Sequence, residues 1–214
     1  MDDELLKKRM DTYILPDYFE PEADEYRLME TEESGRTELN VRFEGAPAGA
    51  HICIACYDMK KRCEFLARTS VNGMRKCVDH VVFTRNDGGS WNVHLIEMKK
   101  TVDRSKWFGI KQKVRSSILN IRALAAVLGM EIHEFRVYTT YEKVDFRLSA
   151  GENPAERRRP LGKPVSDQQQ EWDSAQIEVN FLEIPLACYP HRGIAMQMEV
   201  RDGKDTLCGE LTIA

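Results

Sequence analysis

The stretch that most constrains this chain is a pair of runs rich in β-branched and apolar residues, 75–83 and 91–100. They flank Asn86-Asp87-Gly88-Gly89. Gly and Asn accept the positive φ angles of tight turns, so the segment predicts two antiparallel strands joined by a short loop. With the loop centred on Gly88, Asp79 and Glu97 each lie nine positions away and become partners. Directly opposed residues of an antiparallel ladder share a face, and Lys99 returns to that face by the period of two. Asp79, Glu97 and Lys99 are therefore expected on one surface, beside Val81, Phe83, Val93 and Leu95, which look like core. His80 and His94 fall on the opposite face as packing residues.

Two carboxylates and an ammonium among apolar strands are costly unless paired. A divalent cation is the natural partner for the carboxylates. Magnesium takes hard oxygen ligands, commonly one or two carboxylates with waters and phosphate oxygens. A lysine beside it can hold or polarise a water, the layout phosphodiester hydrolysis needs. The competing interpretation is a cross-strand ion pair on a solvated face, worth under ~1 kcal/mol.

An Asp on one strand and Glu97-Met98-Lys99 on the next resemble the PD-(D/E)xK nuclease superfamily over roughly residues 60 to 145. The resemblance implies an α/β (α+β) fold: a mixed central sheet flanked by helices, a restriction-endonuclease-like core, here with extra C-terminal strands. It implies Asp79, Glu97 and Lys99 as catalytic residues. Mg2+ or Mn2+ would be held by Asp79, Glu97 and the backbone carbonyl of Met98. Val78 stands where the name-giving proline would be. Gln112 resembles the helix glutamine of some relatives, with Ser116 in place of the usual tyrosine. Some relatives add a helix glutamate; the acids of residues 17–36 and Glu64 are candidates. The function implied is a Mg2+-dependent nuclease acting on DNA, less readily RNA. The alternative is a catalytically silent module that binds nucleic acid or protein.

After Lys99, Asp103 or Ser105 can cap a helix whose stripe is Ile110, Val114, Ile118, Ile121, Ala125 and Leu128, closed by Gly129. Lys111, Arg115 and Arg122 share another face. Lys111 and Arg115, with Gln112 and with Lys100, Arg104 and Lys106, are the expected nucleic-acid contacts. Residues 134–141 predict the next strand. Elsewhere the sequence predicts a helix over 2–13, solvent-facing acids over 17–36, and a half-exposed strand over 37–44. A turn over 45–49 and a strand beginning at His51 follow. Residues 1–150 form the expected core with an N-terminal extension. Residues 151–214 form a loop containing Arg157-Arg158-Arg159 and then a β unit that either extends the sheet, mediates a homodimer or recognises a ligand. Residues 194–200 and 206–213 flank an Asp202-Gly203 turn, and His191 is expected in a structural turn.

The net charge of −4 argues against charge-driven coating of DNA without excluding a local basic groove. No run approaches a membrane span and no signal peptide opens the chain, so a cytoplasmic protein without a membrane partner is expected. Six cysteines then read as reduced thiols. His51, Cys53, Cys56 and Cys63, near the basic run Lys60-Lys61-Arg62, can also be read as a zinc site, although Cys53 and Cys56 would face opposite ways along a strand.

Overall fold

The computed structural model describes residues 3–15, 18–21, 23–32, 35–45, 51–54, 73–146, 167–180, 184 and 186–213. In chain order the elements are α1 (Asp3–Tyr13), β1 (Glu25–Glu32), β2 (Gly35–Phe43), β3 (His51–Cys53), β4 (His80–Arg85), β5 (Trp91–Glu97) and β6 (Thr101–Asp103). There follow α2 (Arg104–Leu128), β7 (Ile132–Tyr141), β8 (Lys143–Asp145), α3 (Asp167–Asp173), β9 (Gln176–Glu178), β10 (Cys188–Ala195), β11 (Gln197–Arg201) and β12 (Lys204–Ile213). The fold is mixed α+β, with three helices among the described residues and two large mixed sheets.

The hairpin of β4 and β5 sits in a six-stranded sheet of order β3-β4-β5-β7-β10-β9. Its turn closes because Asn86 Oδ1 accepts from Ser90 N at 3.1 Å and Gly89 adopts φ +80°. β7 runs parallel to β5, and β10 parallel to β7. The crossover from β5 to β7 is α2. Asp103 caps it by accepting from Lys106 N at 2.9 Å, and Gly129 ends it at φ +71°. The predicted stripe from Ile110 to Leu128 is buried throughout, packed with Val81, Phe83, Val93 and Leu95 in one apolar cluster. Each such side chain contributes roughly 1.5–3 kcal/mol by leaving water.

The opposite face of the sheet is covered by a four-stranded sheet of order β1-β2-β12-β11. Val82, Ile96, Met98 and Tyr138 meet Leu28, Leu39, Val41, Leu207 and Leu211 there. The molecule is thus layered helix, sheet, sheet. A parallel pair, β6 and β8, sits at the entry to α2.

Several expectations change. The acidic region contains strand β1, whose Tyr26 and Leu28 are buried while Glu25, Arg27, Met29 and Thr31 alternate outward. The strand expected from residue 75 begins only at His80, because residues 73–78 dock on α2. Residues 194–200 split into two strands at Met196, β10 joining the central sheet and β11 the second. His191 lies in β10 rather than a turn, buried with Nε2 3.1 Å from Thr139 Oγ1. Helix α3 occupies the end of the expected loop. The 46–49 part of the expected turn, Lys60-Lys61-Arg62, Glu64 and Arg157-Arg158-Arg159 lie outside the described residues. No helix among the described residues is long and apolar enough to cross a membrane.

Candidate active site

The hairpin register places His80 opposite Ile96, so Asp79, one step before the strand, faces Glu97 at the end of β5. Asp79 continues the ladder with its side chain: Oδ2 accepts from Met98 N at 2.7 Å. The loop that delivers it is clamped by polar residues of α2. Ser116 Oγ donates to Met74 O at 2.5 Å, Val78 N donates to Ser117 Oγ at 3.1 Å, and Lys76 Nζ donates to Gln112 Oε1 at 2.6 Å. Gly73, at φ +61°, lies so close to Gln112 that an added Cβ would come within 2.8 Å of that side chain. The bonds from Ser116 and to Ser117 satisfy backbone groups that would otherwise be stranded beside the helix.

Lys99 leaves the strand but stays tied to β7, its N–H donating to Thr140 Oγ1 at 2.8 Å. Its Nζ donates to the Met98 carbonyl at 2.8 Å and stands 2.9 Å from Glu97 Oε1 and 3.8 Å from Asp79 Oδ2. Asp79, Glu97, Lys99 and the Met98 carbonyl therefore meet on the helix side of the sheet.

A fourth group was not anticipated. Lys113, on α2, donates to Glu97 Oε1 at 2.6 Å and to Asp79 Oδ1 at 3.1 Å. Its only advance signal is position: it precedes Val114 and lies one turn beyond Ile110, on the border of the apolar stripe. The side chain of Glu97 is 0% exposed and that of Lys113 25%. Burial, reinforced by the Asp79 charge, pushes the Glu97 carboxyl up to about 7 against the opposing pull of Lys113 and Lys99. Burial alone would lower both lysines, but Glu97 and Asp79 outweigh it and hold them above the usual amine range.

The other expected contacts do not converge. Arg115 is fully buried and Gln112 nearly so, which corrects their assignment to a solvent-facing phosphate surface. The docked loop and the sheet enclose α2 around 114–118, leaving no solvated face there. Lys111 is held by Glu171 at 3.1 Å, and Arg122 lies over the Phe135 ring at 5.7 Å. Lys100 and Lys106 are exposed, 3.8 Å from Glu142 and Asp103 respectively, and Arg104 is half-buried. Of the candidate zinc ligands, His51 Nε2 is bonded to Ala23 O, and burial pushes the Cys53 thiol up to about 12. Cys56 and Cys63 lie outside the described residues.

Among the described residues no group of three or more His, Cys, Asp or Glu side chains could hold a metal. Magnesium does not require three, since water and substrate oxygens complete its octahedron. Two features fit such an ion: two carboxylates beside a backbone carbonyl, and a buried Glu97 Oε2 with no hydrogen-bond partner among the described residues. A buried carboxylate oxygen without a donor is rare, because its desolvation goes uncompensated. No protein-family model, curated protein or solved structure matches the chain.

Proposed function

We propose that the chain is a metal-dependent phosphodiesterase that hydrolyses DNA, less readily RNA, on a restriction-endonuclease-like core of the PD-(D/E)xK type. The observation that carries this reading is the pairing of Asp79 with Glu97, with amines at 2.6 and 2.9 Å from one Glu97 oxygen and the other oxygen without a hydrogen-bond partner among the described residues. Asp79, Glu97 and the Met98 carbonyl would hold magnesium or manganese, which supplies Lewis-acid charge at a phosphoryl group. Lys99, its backbone fixed to Thr140, orients the attacking water and offsets negative charge developing on the phosphate oxygens. Lys100 and Lys106, exposed at the start of the crossover, can take neighbouring backbone phosphates.

Purified protein incubated with plasmid and with single-stranded DNA, with and without Mg2+, tests the proposal. Cleavage should require the metal and vanish in Glu97→Gln and Lys99→Ala; full cleavage by either variant removes the proposal. A second reading, a catalytically silent binding module, is favoured by one observation: two ammonium groups already balance the two carboxylates. Calorimetry that detects nucleic-acid binding but no divalent-ion binding selects it.

A further inference from the structure

Lys113 and Lys99 differ in what they hold. Lys113 Nζ contacts one oxygen of each carboxylate, at 2.6 and 3.1 Å, bridging Glu97 and Asp79 as a small cation would. Lys99 Nζ lies 2.9 Å from Glu97 Oε1 but 3.8 Å from Asp79 Oδ2, and it also donates to the Met98 carbonyl at 2.8 Å. With both carboxylates ionised, the two ammonium groups bring the cluster to neutrality. A divalent ion cannot join the same oxygens while both amines stay, because like charges at such spacing in a poorly solvated site repel strongly. One amine must leave. Lys113 is the one whose place overlaps the bridging position, and its side chain, on a flexible stem from α2, is a quarter exposed.

We propose that Lys113 is the exchangeable cation of this site: its ammonium holds the two carboxylates together until a divalent ion arrives, then yields that position to the ion. The inference rests on the metal-site reading above and adds a competition to it. Lys113 keeps the metal-free protein folded, since without it two buried carboxylates would face each other with a single counter-charge. The same contact weakens the apparent metal affinity, because each ion bound must displace an ion pair.

The test is calorimetric titration of the full chain with Mg2+ and with Mn2+, comparing wild type, Lys113→Met and Lys113→Arg. We expect Lys113→Met to bind either ion about tenfold more tightly than wild type, the scale of one displaced charge contact. Lys113→Arg, which restores a cation, should bind no more tightly than wild type. Equal or weaker binding by Lys113→Met, with wild type still binding, overturns the exchange and leaves the metal site standing. Absence of binding in all three overturns the metal site itself. Should Lys113→Met be unfolded without metal, a cooperative thermal transition regained in Mg2+ supports the exchange, and continued lack of one at saturating Mg2+ counts against it.

Discussion

Strand β5 carries two buried polar clusters, one on each face, and they are built on opposite rules. On the side of the second sheet, His94 is 0% exposed, yet both ring nitrogens are satisfied, Nε2 2.9 Å from Thr84 Oγ1 and Nδ1 3.1 Å from Tyr138 Oη. Desolvation, with the Arg136 charge acting the same way, pushes its pKa down to about 3, so the ring is neutral. On the helix side, Glu97 is equally buried but stands beside the Asp79 carboxylate and two amines, and one of its oxygens has no hydrogen-bond partner among the described residues. A neutral, fully bonded cluster fixes a core, whereas a charged one with a spare oxygen holds unfavourable free energy that a ligand can relieve.

The sharpest break between them is by substitution. Glu97→Gln should lower metal-dependent cleavage at least about a thousandfold, equivalent to roughly 4 kcal/mol of transition-state stabilisation. His94→Leu should leave metal affinity unchanged while costing about 2–4 kcal/mol in urea denaturation, because Thr84 and Tyr138 lose their partner. If the two effects fall on the opposite residues, the distinction fails.

Acid titration separates the faces by sign. His94 and His191 are held by burial at about 3 and about 4. Below an unfolded value near 6.5 the unfolded chain binds more protons than the folded one, so stability falls as pH drops from about 6.5 towards 4. Each histidine accounts for up to about 3 kcal/mol. Glu97, raised to about 7, acts the other way: the folded state binds the extra proton, and stability falls as pH rises from about 4.5 to 7. Thermal melts of Glu97→Gln should therefore show a steeper gain in stability between pH 4.5 and 7 than wild type. An unchanged slope would mean that Glu97 is not strained by burial.

The smallest expected effect is a control outside both clusters. Gly129→Ala, at φ +71°, should cost about 1 kcal/mol without touching cleavage or metal binding.

The site was legible where chain-local rules act. A glycine-rich turn sets hairpin register, and register decides that Asp79 meets Glu97 and that His94 points away. The caps and stripe of α2 were legible for the same reason. Lys113 was not, because helical periodicity says which residues share a face but not which strand residue that face meets. Arg115 was misplaced by a sound general rule, that charged positions four apart mark a solvated face. What overrides it is the docking of residues 73–78 through Ser116, Ser117 and Gln112, bonds between ordinary polar residues with no distinctive pattern. The second sheet was illegible because its central pairing, Thr206–Ile213 beside Arg36–Phe43, joins segments remote in sequence.

That remote pairing has a consequence in time. β4, β5, α2 and β7 follow one another along the chain and can assemble from near neighbours, whereas β2 must wait for β12 from far along the sequence. A state lacking the second sheet would leave Val82, Ile96 and Met98 as a greasy plane facing water. Refolding should pass through a sticky half-built species whose lifetime is set by this closure, and whose tendency to clump grows with protein concentration.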